Sequence, residues 1–501
     1  MKYLLLAIPF LLVVFSCDKE EKFTTSGSDQ LEFSVDTLHF DTVFTELGSA
    51  TRFFRVYNRH SESIRISSIS LKGNAQSKFN LNVDGVPGDS HEDVVVYPKD
   101  SIYVFAEVTI DPDAPLSVSP YFVLDEVVFE TNGNTQSVYL EAWGQNANYL
   151  PTRWHKDSVA VYTCNGEVTF DDPKPYVIFG IVAYVDCQVN IPAGARIHVH
   201  GGLSRGIDPA SGESLIYNSG RLVIGQGAKL NVQGTIEDPV VFEGDRLEEG
   251  FEDADGQWTG IIFSAGSTGN VIENAVIKNS LFGMFVDSTA EVSLKNVQLY
   301  NTSGPGLFSY HSKVSAENCL FHSNGTNAIQ LTYGGDYNFD YCTFANYGTD
   351  GAAVSMGNGV CDDPDNCTAA TARVFRLNAL FRNSIVFGST RDEIVLSDFT
   401  GMRGDDRPML NYTFDHCIVR TKDIADPDNG IPTFYDYCND CLNADPSDAI
   451  FASVNEDDYH LDTLSVAEQK AVPLDGILFD LEGNERDVEM PDLGCYEYQF
   501  N

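Results

Sequence analysis

The chain has 501 residues, 31 of them basic and 73 acidic, for a formal net charge of −42. That balance excludes a plain nucleic-acid binder, which needs clustered Lys and Arg to release counterions from phosphate. Hydrophobic residues at 43% exclude an acidic disordered polymer, and at about 150 residues per domain the length suggests about three domains or one elongated repeat.

The N-terminus reads as an address. Lys2 is followed by the apolar run Leu4 to Phe15 and then Ser16-Cys17. A charged start, a short apolar stretch and a small residue before a cleavage point make an export signal, and the run is shorter than the about 20 residues of a membrane span. Val14-Phe15-Ser16-Cys17 resembles the lipobox of bacterial lipoproteins, and Asp18-Lys19-Glu20-Glu21-Lys22 is similar to the acidic export tag of surface lipoproteins in some Gram-negative bacteria. The resemblance implies a lipid on Cys17 and an outer-membrane, surface-exposed location, with the lipid as the sole attachment to the membrane. Residues 1–16 are then the signal peptide and 17–30 an acidic linker.

Residues 31–147 alternate apolar and polar side chains in short runs, as in Phe54-Arg-Val56, Ile64-Arg-Ile66 and Ile102-Tyr-Val104, with Asn132-Gly133 as a hairpin turn. About seven such strands predict a β-sandwich. Leu31-Glu-Phe33, Tyr97-Pro98 and Ala142-Trp-Gly144 make the unit similar to the immunoglobulin-like domains of exported bacterial proteins.

Residues 148–501 repeat. Asn274-Ala-Val-Ile-Lys-Asn279, Asn296-Val-Gln-Leu-Tyr-Asn301, Asn318-Cys-Leu-Phe-His-Ser323 and Tyr341-Cys-Thr-Phe-Ala-Asn346 superimpose at steps of 22, 22 and 23 residues. Three short strands per step, separated by polar turns, build one coil of a parallel β-helix, and a coil buries its apolar face only by stacking on another. Val189 to Gly201 and Leu222 to Gly234 align once the insertion Leu203 to Ser219 is removed. With Trp258-Thr-Gly-Ile-Ile-Phe263 they resemble the right-handed β-helix family that includes the pectate lyases. Asp445-Pro446, Asp480 to Arg486 and Pro491 to Tyr498 are similar to the terminal segment of exported β-helix proteins and predict a capping segment. The fold class expected is therefore all-β, an N-terminal β-sandwich followed by a right-handed parallel β-helix.

Because equivalent residues of stacked coils lie about 4.8 Å apart, the alignment maps columns on the surface. Asn279, Asn301 and Asn346 share a turn position and predict an amide ladder. Cys319 and Cys342 fall in an inward column as small buried hydrophobes. Glu273, Lys295, Glu317 and Asp340 form an outward column, read here as an exposed salt-bridge ladder in preference to a catalytic carboxylate pair. Phe285, Phe308, Tyr300 and His322 are the candidate ligand-binding residues, since outward rings offer sugars a stacking surface, although a covering loop explains them equally well.

Ten cysteines remain besides Cys17. The spacing Cys361 to Cys367 suits a small acidic loop, and Cys438-Asn-Asp-Cys441 is a lone CxxC without the second pair a zinc site needs, so disulfides or buried thiols are favoured over metal. No cofactor is implied, with calcium in the acidic turns Asp253 to Gly256 and Asp362 to Asp365 as a further option. The function expected is a lipid-anchored surface protein whose β-helix binds a glycan or another cell-surface component. The alternative is a polysaccharide lyase or glycoside hydrolase of the β-helix type.

Overall fold

The computed structural model describes residues 22–44, 51–73, 77–109, 121–145, 147–151, 159–207, 214–247, 251–361, 367–368, 370–403, 408–426, 428, 430–431 and 433–499. The signal peptide, Cys17 and Asp362 to Asp365 lie outside them. The chain divides into two compact units, Met1–Gln145 and Asn146–Asn501. Among the described residues no helix is long and apolar enough to cross a membrane.

The first unit is a sandwich of two five-stranded sheets. Phe54, Ile66, Val104, Phe129 and Leu140 are wholly buried between them, each on the inward phase of a period-2 strand. Asn132-Gly133 joins Tyr121–Thr131 to Asn134–Gln145 as an antiparallel hairpin. Both turn residues take positive φ, 49° and 81°, the conformation a two-residue hairpin loop needs. The strand count exceeds the expected seven because short edge pieces such as Glu32–Phe33 and Val86–Pro87 pair at the margins.

Among the described residues, the second unit is built on a 24-stranded parallel sheet coiled into three faces. Face one carries Arg196–His200, Val240–Gly244, Leu320–Asn324, Thr343–Asn346 and Ile385–Gly388. Face two carries Arg221–Ile224, Gly260–Phe263, Met284–Val286, Val354–Gly357 and Ile394–Ser397. Face three carries Lys229–Gln233, Leu377–Arg382 and Leu410–Asp415. Longer strands such as Asn270–Lys278 run from face three to face one through a single bent residue. The insertion after Gly202 forms its own hairpin, Leu203–Ile207 against Ser214–Asn218.

The bend between faces three and one explains the repeat. Asn274, Asn296, Asn318, Tyr341, Asn383, His416 and Asp440 all hold φ between 48° and 52° there, a region Asn and Asp tolerate better than most residues. Here the structure corrects the position of the amide ladder. Asn296 Nδ2 donates to Asn274 Oδ1 (3.0 Å) and Asn318 Nδ2 to Asn296 Oδ1 (3.2 Å). Asn279 and Asn346 donate instead to loop carbonyls, those of Glu252 and Ala254 and of Thr326 and Gly351. The ladder needs side chains that project along the stack, and the left-handed bend supplies that direction.

Inside the coil, one residue per turn stacks in each column. On face three the column is Val232, Ile272, Leu294, Ala316, Phe339, Phe381, Phe414 and Cys438. Phe381 lies between Phe339 (4.9 Å, 19°) and Phe414 (4.7 Å, 16°). Cys319 and Cys342 are buried, in the column of Ala275 and Val297, as their alignment predicts.

Residues 444 to 498 run back along the outside of face one. Ala444, Ile450, Phe451, Tyr459, Leu461, Leu481, Leu493 and Cys495 pack on Leu320, Tyr341, Ala345, Ile385, Phe387 and Ile418. In those coils the outward residues of face one are apolar apart from His322 and Thr343, and the terminal strap removes them from water.

Candidate functional site

Among the described residues, face two presents a cluster of partly exposed aromatic rings. Its outward column runs Val223, Ile262, Phe285, Phe308, Gln330, Ser355 and Val395. Phe285 and Phe308 are half-buried, with ring centroids 5.2 Å apart, and Phe282 adds a third ring 6.1 Å from Phe285. Beside them Tyr310 and Tyr333 lie 4.1 Å apart, and His311 packs on Phe375 at 4.7 Å. Of these rings only Phe285 and Phe308 were expected. Tyr310 was legible as the next outward residue after Phe308, whereas Tyr333 reaches the surface through an irregularity. The register slips between Tyr310 and Ser312, and Tyr333, Gly334 and Gly335 take φ of 59°, 84° and 121°.

Face one treats the other two candidates differently. Tyr300 and His322 do share a column with Lys278, and the Tyr300 and His322 rings stack at 4.6 Å and 16°. His322, however, is only 4% exposed. Tyr459 of the strap lies 4.7 Å from its ring, and Asp457 Oδ1 lies 3.6 Å from its Nδ1. His322 is therefore part of the strap's seat and not of the open surface. Ser323 Oγ sits 3.1 Å from His322 Nδ1 and donates to Asp457 (2.7 Å). Burial pushes the Tyr300 phenol up to about 12.

The stability of this seat is expected to depend on pH. Burial holds the His322 pKa below its ordinary value, against the pull of Asp457. The unfolded chain then binds the His322 proton first, so this site's stability is complete above about pH 6.5 and falls as pH drops toward the lowered value. Asp457, lowered to about 2 chiefly by its hydrogen bond with His322, adds a second loss below about pH 4. Protease cleavage within the strap is expected to rise between pH 7 and 5, and His322→Gln to flatten that rise. A pH-independent cleavage rate in the wild type would refute it.

At its N-terminal end the same face is polar. Glu243 has His198 Nδ1 and Lys278 Nζ each at 3.5 Å, and His200 Nδ1 lies 2.6 Å from Asp245. Asp253, in the turn expected to offer calcium ligands, faces Lys278 at 4.0 Å. Among the described residues no group of three His, Cys, Asp or Glu side chains is arranged to hold a metal.

Face three carries the charged column, in the order Glu273, Lys295, Glu317, Asp340, Arg382 and Asp415. Lys295 Nζ bonds Glu317 at 2.7 Å. Arg382 clasps Asp340 with two bonds, 2.6 and 2.7 Å, while Asn338 donates a third at 2.7 Å. Arg382 stands directly before Asn383 as Glu317 stands before Asn318, so the repeat could have shown it, although an insertion between the strands Val354–Gly357 and Leu377–Arg382 lengthens that turn. Each inner carboxylate thus has a cation, Lys295 for Glu317 and Arg382 for Asp340. A cavity of about 540 Å³ lies beside it, lined by Glu317, Asp340, Arg382 and residues 473–477.

The sandwich has an aromatic cluster of its own. Phe53, which is 51% exposed, lies 5.4 Å from Tyr103 and 5.8 Å from Phe105. The adjoining groove of about 710 Å³ is lined by Asn80, Asn82, Pro87, Phe105 and Glu107.

Comparison with known proteins bears on the coil. Residues 248–344 match the family described as "Right handed beta helix region". The second unit is a right-handed parallel β-helix. No curated protein matches the chain. Among solved structures, a periplasmic alginate epimerase is similar at 9% identity over 55% of this chain and 85% of its own, with a TM-score of 0.22. A GH87 alpha-1,3-glucanase from Streptomyces thermodiastaticus is similar at 9% identity over 73% of this chain and 79% of its own, with a TM-score of 0.19. A family 123 glycoside hydrolase from Clostridium perfringens aligns at 5% identity, with a TM-score of 0.17, and the chain spans only 25% of its length. These likenesses are too slight to carry a functional argument.

Proposed function

We propose that the protein is a lipid-anchored cell-surface protein whose β-helix binds glycan on face two without catalysing a reaction on it. The observation that carries this reading is the set of half-buried rings Phe282, Phe285, Phe308, Tyr310 and Tyr333 on one face. Rings set at the coil spacing let an extended sugar chain stack on several of them at once, and the Tyr hydroxyls supply hydrogen bonds. The pairing of Glu317 with Lys295 and of Asp340 with Arg382 supports binding over hydrolysis, because a catalytic pair needs one carboxyl free to protonate the leaving group. The net charge of −42 favours neutral glycans over polyanions.

A panel of neutral and acidic polysaccharides tests the reading, with both binding and new reducing or unsaturated ends recorded. Phe285→Ala/Phe308→Ala is expected to weaken binding of the glycan that scores by about tenfold or more, as loss of central ring contacts does. Phe53→Ala in the sandwich should leave it unchanged. Unaltered binding by the double variant, or new chain ends made by the wild type, refutes the assignment. Cys17→Ala is expected to move the protein from the membrane fraction to the soluble one; retention in the membrane would overturn the anchor.

A further inference from the structure

The CxxC segment closes the β-helix at its C-terminal end. Cys438 is the last inward residue of the column that contains Phe339, Phe381 and Phe414. Asp440, at φ 48°, makes the left-handed bend, and Cys441 follows it as Cys417 follows His416 and Cys319 follows Asn318. Cys417 and Cys441 are thus neighbours in one stack, since Ile418 pairs with Leu442. Cys438 precedes this bend and Cys441 follows it, with Cys417 one turn below Cys441. The Cys441 sulfur also lies 3.3 Å from the Phe414 carbonyl.

Accessibility separates these thiols from the rest. Cys319, Cys342, Cys417 and Cys495 are wholly buried, while Cys438 and Cys441 are partly exposed. Coil spacing puts the stacked Cys417 and Cys441 inside the 4.4–6.8 Å Cα range of a disulfide. The same coil shows this at Cys164–Cys187, which joins neighbouring turns at a Cα separation of 5.0 Å. Cys417 is therefore the competing partner, but it is wholly buried, and Cys438 is the partly exposed thiol close to Cys441 in sequence. The thiol groups of Cys417 and Cys438 hold the Cys441 thiol well below its ordinary pKa, against burial. Cys441 together with burial holds Cys438 up, and burial first, then Cys441, holds Cys417 up.

We propose that Cys441 and Cys438 form a thiol–disulfide exchange site whose co-substrate is a small-molecule disulfide. The Cys441 thiolate attacks one sulfur of the disulfide, forming a mixed disulfide and expelling one thiolate, which takes up the proton Cys441 released. Cys438, deprotonated in turn, attacks the Cys441 sulfur and expels the second thiolate. Two protein thiols are oxidised to one Cys438–Cys441 bond, and one small disulfide is reduced to two thiols, so two electrons and two protons balance. Cys417, buried beneath, remains a thiol. Tyr435 and Tyr437, just before Cys438 in the chain, are 38% and 47% exposed.

The full chain, equilibrated across ratios of reduced to oxidised glutathione, trapped with iodoacetamide and mapped by peptide mass, tests this. The Cys438–Cys441 pair is expected to lose and regain two hydrogens reversibly, while Cys319, Cys342 and Cys495 stay reduced. Cys438→Ser should accumulate a glutathione adduct on Cys441, and Cys441→Ser should abolish oxidation of Cys438. In the reduced wild type, Cys441 should alkylate about tenfold or more faster than the buried thiols, a readout that does not depend on any variant folding. An unchanging pair across all ratios, Cys441 alkylating no faster than Cys319, or a Cys417–Cys441 product in place of Cys438–Cys441 overturns the proposal.

Discussion

Phe381→Ala is expected to cost about 3–5 kcal/mol of stability, the range for deleting a fully buried aromatic ring. Phe381 has no exposed surface and touches Phe339 and Phe414 above and below, and Phe344 edge-on at 5.9 Å. The backbone cannot collapse into the space left, because the coil spacing is fixed by the strand hydrogen bonds of the rungs on either side. A parallel coil is a one-dimensional array, so the defect weakens the interfaces to both neighbouring turns. Urea unfolding of the β-helix should show the midpoint fall, with Phe381→Leu losing less than half as much. Near-wild-type stability of the alanine variant would mean that the ring stack does not hold these coils together.

Arg486→Met is expected to be of similar size, about 3–5 kcal/mol, as for breaking a buried ion pair from one side. Arg486 is 5% exposed and lies within the strap. Its guanidinium stacks on Tyr341 at 3.9 Å, pairs with Glu497 at 3.3 Å, and donates to Asn318 Oδ1 and the Gly494 carbonyl, each at 3.0 Å. Methionine keeps the packing on Tyr341 but leaves the Glu497 carboxylate, whose pKa burial already raises, with backbone donors from Asp487 and Asp492 and no cation. It also leaves the end of the asparagine ladder without its donor. The strap should loosen first, exposing Leu320, Ile385 and Phe387. Hydrophobic-dye binding and early cleavage between residues 444 and 498 would report it. Adding Glu497→Gln to Arg486→Met should restore part of the loss, since it removes the charge left without a cation. A strap that stays protease-resistant in the single variant would show that its apolar seat suffices.

Both variants act at positions whose legibility in the sequence differed. The 22-residue step from Asn274 to Tyr341 contained the coil, its three faces and the inward columns, because stacking forces one apolar residue per strand to the same depth in every turn. The Asn132-Gly133 hairpin and the charged column of Lys295, Glu317 and Asp340 were readable for the same local reason: period and turn chemistry are properties of neighbouring residues. The bend ladder was visible as repeated asparagines, yet its side-chain direction depends on a left-handed φ that a sequence does not display.

Periodicity alone separates inside from outside, which is why the sequence orients Cys319, Cys342, Phe285 and Phe308. It could not decide which outside remains in water. Tyr300 and His322 have the same phase on face one as Phe285 and Phe308 on face two, but one face is seated under a strap that begins more than a hundred residues later. The bond from Asn318 to the Phe479 carbonyl spans 161 residues. Phase is set by the chain's immediate neighbours, whereas cover is set by contacts between distant segments, and only the folded molecule brings those together.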